Sequence, residues 1–121
     1  AVLVLENEEK RRGLKEGEAA ERINHGLGAI VAKILQETSG KNVAGIYATG
    51  GDTMVQVCLQ AGASCLRVTD YIIPQADVGC LTGPFDGLPI VGKGGLTGTE
   101  TTAAEIVSRI LKEAANKNFS C

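Results

Sequence analysis

The chain has 121 residues, 44% of them hydrophobic and 21% charged, and is therefore long enough to bury a core and to form a single domain over residues 1–121. The net charge of −2 argues against nucleic acid or an anionic membrane as the main partner, and two Phe, two Tyr and no Trp leave no platform for base stacking. No apolar stretch reaches the roughly 18 residues of a membrane helix. The four cysteines form no CxxC pair, and three of them fall in or beside predicted elements, which indicates small core residues in a reducing compartment such as the cytoplasm rather than a zinc site.

The first third of the chain predicts a strand, a charged loop and a long helix. Residues 1–5 are an apolar run of β type, which suggests a trimmed domain because it opens at the first residue, and residues 6–12 predict a solvated loop. Apolar residues then recur at helical spacing over residues 16–38. Gly26 and Gly28 interrupt that helix at a cost of about 1 kcal/mol each relative to Ala, which suggests close packing against a neighbour.

The middle of the chain predicts a strand, a glycine turn and a helix in immediate succession. Residues 43–48 form an apolar run, Gly50 and Gly51 end it, and a helical pattern starts at Asp52 and Thr53. This geometry aims backbone N–H groups and the positive end of a helix dipole at an anion, and glycine lets a phosphate approach closely. Asp52 and Thr53 are both good N-cap residues. The alternative is a tight strand-to-helix connection without any ligand.

The second half of the chain predicts three consecutive strands and a final helix. The β-type runs cover residues 65–73, 76–81 and 88–91, and an amphipathic helix follows over residues 101–115. Helices that precede and follow the strands predict an α/β domain with three α/β/α layers. Because no helix separates the three runs, the sheet is expected to be mostly parallel or mixed.

A second glycine-rich loop precedes the last helix. It covers residues 92–98 and holds Lys93 among Gly94, Gly95 and Gly98. Lys93 could place a point charge on phosphate oxygens, so that two helix N-termini and one lysine would hold a polyphosphate in a shared crevice. The alternative for Lys93 is an exposed loop cation. Neither loop has the spacing GxxxxGK[ST] or GxGxxG, so neither is a standard phosphate-binding or dinucleotide-binding motif.

Asp52 has two interpretations. A carboxylate beside phosphates would repel them unless a cation lies between, so its functional interpretation is a direct or water-mediated contact with Mg²⁺. Its structural interpretation is a helix N-cap, which the sequence slightly favours. Asp77 and Asp86 could also meet a cation, but nothing in the sequence selects them.

Three segments, in this order, resemble the C-terminal, nucleotide-binding domain of the four-carbon acid sugar kinase family. The segments are residues 49–53 after a strand, Ile73-Pro74 with Gly79 downstream, and residues 88–98, within a likeness that covers about residues 43–112. The resemblance implies a three-layer α/β/α fold that takes part in the phosphorylation of small acid sugars such as threonate or erythronate. It also implies ATP and Mg²⁺ as cofactors.

The resemblance further implies which residues bind the nucleotide. It places the nucleotide on Gly50, Gly51, Asp52 and Thr53 and on the second glycine loop with Lys93, Gly94, Gly95 and Gly98. It assigns the acid-sugar site and the catalytic base to an N-terminal domain outside these 121 residues, so the isolated chain is expected to bind nucleotide without being a complete kinase. No catalytic residue or metal ligand is therefore assigned here, and a homo-oligomer is compatible with the pattern.

Two other functions are compatible with the same pattern. One is a non-catalytic module that senses a different anion in the same crevice. The other is a small enzyme of the molybdopterin-adenylating type, in which a Gly-Gly turn also follows a strand. Selectivity among nucleotides and pterin phosphates would distinguish them.

Overall fold

The computed structural model describes residues 2–116, which form four helices and four strands. In chain order these are α1 (Val2–Arg12), α2 (Glu18–Thr38), β1 (Ile46–Thr49), α3 (Gly51–Gln60), β2 (Leu66–Ile73), β3 (Ala76–Leu81), β4 (Pro89–Lys93) and α4 (Thr102–Ala115). None of the helices formed by these residues combines the length and the hydropathy that crossing a bilayer requires.

The described residues begin with a helix, so the prediction of a strand and a charged loop over residues 1–12 is wrong for residues 2–12. A short apolar run has no period of its own, and the Leu, Glu, Lys and Arg residues of this segment are good helix formers. Glu8 accepts hydrogen bonds from Arg11 and Arg12 across single turns, both with contacts of 2.6 Å. Basic side chains in the last turn also suit the negative end of the helix dipole.

Helix α1 also supplies the cap of helix α2. The Glu9 carboxylate accepts hydrogen bonds from the N–H groups of Gly17 (3.2 Å) and Ala19 (2.8 Å). The side chain of Glu9 is buried, and these two donors belong to the first turn of α2, where no helical carbonyl can reach them. The cap therefore comes from another helix, eight to ten residues upstream in the sequence.

The sheet is mixed, which confirms the predicted class. Its strand order is β1-β4-β3-β2, with β1 and β4 parallel and the other two pairs antiparallel. The three strands that follow one another without helices form the antiparallel part, joined by short turns. The parallel pair brings together two strands that are far apart in the chain, and both are followed by glycines.

Helices cover both faces of the sheet, which gives the expected three α/β/α layers. On one face, helices α2 and α3 pack on the strands through a cluster of buried residues: Leu35, Ile46, Val57, Ala61, Leu81 and Ile90. On the other face, helix α4 packs through a second cluster: Ala76, Val78, Val91, Ile106 and Ile110. Ile90 and Val91 are neighbours in β4 and enter different clusters, because successive side chains of a strand point to opposite faces.

The two glycines inside α2 differ in their surroundings. A Cβ atom on Gly28 would lie 2.7 Å from the backbone oxygen of Gln56, so helices α2 and α3 cross closely at this point. A Cβ atom on Gly26 would meet nothing within 4 Å. Close packing against a neighbour is therefore confirmed for Gly28 and wrong for Gly26.

The cysteines are not all core residues. Cys80 is fully buried in β3, Cys58 is half-buried in α3, and Cys65 is exposed just before β2. Cys58 and Cys65 are free thiols. The expectation of a small core residue therefore fails for Cys65, whose backbone N–H is instead held by the hydroxyl oxygen of Thr82 at 2.8 Å.

Candidate functional site

The two predicted glycine corners lie next to each other because β1 and β4 are neighbouring parallel strands. Thr49 at the end of β1 is in register with Lys93 at the end of β4. The backbone N–H of Gly50 donates a hydrogen bond of 2.8 Å to the Lys93 carbonyl, which joins the two corners directly. In open α/β sheets, ligands bind outside the carboxyl ends of such strands.

The first corner has the shape that the glycine turn predicts. Gly50 has φ 93° and ψ 129°, a conformation that a side chain would strain, and helix α3 starts at the next residue. No side chain of the described residues caps this helix. Its first N–H groups therefore point out of the helix without a side-chain acceptor, as in sites that hold an anion.

The predicted capping roles of Asp52 and Thr53 are wrong. Both residues lie inside the first turn of α3, two and three positions beyond the N-cap residue Gly50. The Thr53 hydroxyl instead donates a 2.7 Å hydrogen bond to the Oδ1 atom of Asn24 in α2. This bond fixes the start of α3 against α2 and so positions the glycine corner.

A cleft of about 290 Å³ lies between the two corners. Its lining comes from both corners, from α3 and from the turn between β2 and β3: Gly50, Gly51, Met54, Gln75, Asp77, Gly92, Lys93 and Gly94. Four of these residues were predicted from the sequence. Met54, Gln75 and Gly92 were not, and Asp77 was named only as one acidic residue among several.

The β2–β3 turn closes one side of this cleft. Gln75 occupies this turn with φ 64°, and its carbonyl accepts a 2.9 Å hydrogen bond from the N–H of Gly94. Met54 covers the face of β4 at Gly92, where a Cβ atom would lie 2.1 Å from the Met54 sulfur. These contacts join elements that are far apart in the sequence, so they could not be predicted from local patterns. The one local signal for the β2–β3 turn is the dipeptide Pro-Gln after an apolar run.

Lys93 points into its own loop. Its Nζ atom donates hydrogen bonds to the carbonyl oxygens of Gly94 (2.5 Å) and Thr97 (2.6 Å). Charge-assisted hydrogen bonds of this length are stronger than neutral ones. The lysine is therefore not a free loop cation: it lines the cleft, and its ammonium group is held by carbonyls of its own loop.

Gly95 and Gly98 lie outside the cleft lining. Gly95 is exposed, and a Cβ atom there would meet nothing within 4 Å. Gly98 has φ 104° and packs against the side chain of Thr102, 2.8 Å from where its own Cβ would be. No residue of helix α4 is among those that line the cleft, so the start of α3 is the helix N-terminus that borders it within the described residues.

Asp52 borders a second cavity rather than the cleft itself. This cavity, of about 370 Å³, lies between α2 and α3, and its polar lining includes Glu21, Asn24 and Gln56. The Asp52 side chain is exposed and has no hydrogen bond or ion pair within residues 2–116. Those residues also contain no group of three His, Cys, Asp or Glu side chains that could hold a metal ion by themselves.

Another cavity, of about 400 Å³, lies at the other end of the parallel pair. Among its lining residues are Val43 and Ala44 before β1 and Leu88 and Pro89 at the start of β4. It lacks a glycine corner and faces the amino ends of the parallel strands, where ligands of open α/β sheets are not bound. The cleft between the glycine corners is therefore the stronger candidate despite its smaller volume.

The fold and the cleft together define an α/β domain whose ligand site lies at the carboxyl ends of parallel strands. A family model described as a nucleotide-binding C-terminal domain matches residues 2–103. The chain belongs to this family. The match confirms the resemblance to the C-terminal domain of four-carbon acid sugar kinases.

Two similar proteins are named as kinases. The D-erythronate kinase of Heliobacterium modesticaldum is 39% identical over 107 residues, which are 88% of this chain and 24% of the kinase. The D-threonate kinase of Salmonella typhimurium is 24% identical over 97 residues, which are 79% of this chain and 22% of that enzyme. The chain therefore spans about a quarter of the length of these relatives.

Two crystal structures have a similar fold. Both are of a domain of unknown function from Bordetella bronchiseptica, with bound citrate and as a domain-swapped dimer. Their TM-scores are 0.69 and 0.70 at 28% identity, over 81% and 80% of this chain and 24% of the neighbour's chain. This likeness confirms the predicted α/β class.

Proposed function

We propose that the chain is the ATP-binding part of a kinase that phosphorylates a four-carbon acid sugar such as erythronate or threonate. The observation that carries the proposal is the hydrogen bond between Gly50 and Lys93, because it joins an uncapped helix start to a second glycine loop across one cleft. The names of the two kinase relatives and the family match support the substrate class and the nucleotide.

The phosphates of the nucleotide would lie at the start of α3. The N–H groups of Gly51, Asp52 and Thr53 belong to the first turn and lack side-chain acceptors, so they would donate to phosphate oxygens, helped by the helix dipole. The Gly50 N–H is already used by the Lys93 carbonyl and would not take part. The second loop would line the other side of the phosphates through Gly94, while Gly95 and Gly98 would shape the loop without contacting the ligand.

Mg²⁺ is the cation that suits this set of groups. Mg²⁺ is usually held by one or two carboxylates together with phosphate oxygens and water, not by a cage of protein ligands. Asp52 would take that role through water, because its carboxylate is exposed and unpaired within residues 2–116 next to the helix start but borders the neighbouring cavity rather than the cleft. When bound, the ion neutralises charge on the phosphate oxygens during phosphoryl transfer.

This chain would bind and orient the nucleotide and leave the acid sugar to the rest of the enzyme. Phosphoryl transfer depends mainly on positioning and on neutralising charge, which the helix start and the cleft supply. The base that accepts the proton of the sugar hydroxyl would come from the part of the kinase outside these 121 residues, consistent with relatives about four times as long. The isolated chain would therefore bind ATP or ADP without turnover.

Self-association is part of the same proposal. The outer stripe of α2 is apolar and exposed, with Ile23, Leu27, Ile30 and Ile34 between 44% and 59% accessible. The Bordetella neighbour is a dimer, which supports a homo-oligomer here as well. Sedimentation equilibrium of the chain tests this part, and a monomer at all concentrations would remove it.

A matched pair of glycine variants tests the nucleotide site. Gly51→Ala adds a methyl group in the open space at the cleft, and Gly95→Ala adds the same group outside it; neither position has an atom within 4 Å of the new carbon. Isothermal titration with Mg·ATP should show about tenfold weaker binding for the first, equal to about 1.4 kcal/mol, and no change for the second. Neither variant should lower the thermal midpoint of the wild-type chain, because the added methyl group meets no atom within 4 Å at either position.

The same titration separates the alternatives. Absence of heat at millimolar Mg·ATP in the wild-type chain would refute nucleotide binding. Thermal shift with ATP, ADP, GTP and a pterin phosphate then distinguishes the rest, because pterin selectivity would favour the molybdopterin type of enzyme. Indifference to every phosphate would favour a module for another anion.

A further inference from the structure

We infer that Lys93 is a positioning residue that holds the second glycine loop in shape, and that it is not the direct phosphate contact that its place among glycines suggests. The inference starts from the two short hydrogen bonds of its ammonium group, to the carbonyl oxygens of Gly94 and Thr97. These two carbonyls lie on either side of the loop tip. One cation therefore closes the turn from within.

Other contacts act on the same turn. The Thr97 hydroxyl donates a 3.0 Å hydrogen bond to the Gly94 carbonyl, and the Gly94 N–H donates to the Gln75 carbonyl. The Gly94 oxygen thus accepts from both Lys93 and Thr97. At the tip of the closed turn, the Leu96 side chain is fully exposed.

The chemistry of lysine explains why the loop depends on it. Glycine-rich segments lose more conformational entropy on ordering than others, so this loop would be loosely held without a specific tether. An ammonium group has three donors, and two of them are used by loop carbonyls at short distance. A phosphate contact in place of these bonds would leave Gly94, which lines the cleft, held only by the Thr97 hydroxyl and the Gln75 carbonyl.

The consequence for the site is that Lys93 acts through the loop. The cleft wall at Gly94 keeps its position because the ammonium holds the adjoining turn. Removal of the side chain should therefore loosen the loop first and weaken ligand binding second. The ligand part of this argument rests on the proposed nucleotide function, whereas the part on loop shape is independent of it.

Proteolysis reports the loop shape directly. Thermolysin cleaves before exposed leucines in flexible segments, and the bond between Gly95 and Leu96 is exposed but held in a closed turn. Lys93→Met should be cut at this bond at least about tenfold faster than the wild-type chain at an unchanged thermal midpoint. Lys41→Met is the control, since Lys41 is exposed and its side chain makes no hydrogen bond within the described residues. Equal cleavage rates in all three proteins would overturn the inference.

A second measurement uses the wild-type chain and so does not depend on the variant folding. In NMR spectra that detect lysine ammonium groups, one ammonium should exchange slowly with water because it is hydrogen-bonded to two carbonyls. That signal should disappear in Lys93→Arg and persist in Lys41→Arg. Rapid exchange of every lysine ammonium in the wild-type chain would overturn the inference.

Titration with AMP, ADP and ATP distinguishes positioning from direct contact. Removal of a residue that contacts a terminal phosphate reduces the affinity more for ATP than for AMP. Removal of a residue that shapes the loop reduces the affinity for all three nucleotides by the same factor. Lys93→Met should show the same factor for each. If Lys93→Met loses affinity only for ATP and thermolysin does not cut its loop faster than the wild-type loop, the inference is overturned. If the wild-type chain binds no nucleotide, the proposed function is refuted, and the proteolysis experiment alone then decides whether Lys93 holds the loop.

Discussion

Changing Gly28 to Ala should destabilise the domain, although the same change two residues earlier should stabilise it. Alanine is better than glycine inside a helix by about 0.8–1 kcal/mol, and both glycines lie within α2. At Gly26 nothing opposes this gain, because a Cβ atom there has open space around it. Gly26→Ala is therefore expected to raise the free energy of unfolding by about 0.5–1 kcal/mol.

At Gly28 the gain is outweighed by a clash. The new carbon would lie 2.7 Å from the backbone oxygen of Gln56, 2.9 Å from its carbonyl carbon and 3.0 Å from the Cγ atom of Gln60. Two of these atoms belong to the α3 backbone and cannot move without the helix, and overpacking of this kind typically costs about 1–3 kcal/mol. Gly28→Ala should therefore lower the free energy of unfolding by about 1 kcal/mol relative to the wild-type chain. The free energies of unfolding of the two variants should then differ by roughly 2 kcal/mol.

Urea unfolding followed by far-UV circular dichroism measures this difference. Both variants should unfold with the same m-value and with midpoints on opposite sides of the wild-type midpoint, since the native fold is unchanged. In thermal unfolding the gap should be roughly 8 °C for a domain of this size. Equal stability of the two variants would refute the close crossing of α2 and α3 and with it the account of why this helix contains a glycine.

Three further results are expected. Glu9→Ala should lower the free energy of unfolding by about 1–2 kcal/mol in urea, because the first turn of α2 loses its cap, whereas Glu9→Gln keeps an acceptor and should lose less. The Arg109 side chain lowers the pKa of the Asp70 carboxylate in the folded state. The stability that this pair contributes is therefore complete above the pKa of the unfolded state, near 3.8, and is lost as the pH falls through the lower pKa of the folded state. In acid titrations, Asp70→Asn should be less stable than the wild-type chain at neutral pH, and this difference in the free energy of unfolding should shrink below about pH 4. Iodoacetamide should modify Cys65 before Cys58, as judged by peptide mass spectrometry, because Cys65 is exposed while burial raises the pKa of the Cys58 thiol; the reverse order would contradict the packing of α3.

Elements with a clear period were predictable from the sequence, and those without one were not. The β3 strand begins and ends at the predicted residues, and α2 and α4 differ from prediction by two residues or fewer at each end. The apolar run at residues 2–5 is too short to show either helical or strand periodicity, so its secondary structure depends on the charged segment that follows it. The charged segment after it consists of good helix formers, and its Glu and Arg side chains add hydrogen bonds across single turns once the helix forms.

The neighbouring positions of the two glycine corners could be predicted, but the directions of their side chains could not. Strand–glycine–helix order placed Gly50 and Lys93 at the carboxyl ends of strands, and the parallel pairing of β1 and β4 made them adjacent. The direction of Lys93 depends on where the Thr97 carbonyl lies, four residues along a loop without repetitive structure. The predicted caps of α3 were wrong because the helix starts one residue earlier, at Gly51, and the Thr53 hydroxyl bonds to Asn24 on a helix that local sequence cannot place.

The hydrogen bond from the Gly50 N–H to the Lys93 carbonyl has a mechanical consequence. The backbone of Lys93 is tied to the first corner and its side chain to the second loop, so one residue couples the two through both of its ends. We therefore expect that a ligand that shifts the first corner would also shift the second loop, because the same residue is bonded to both.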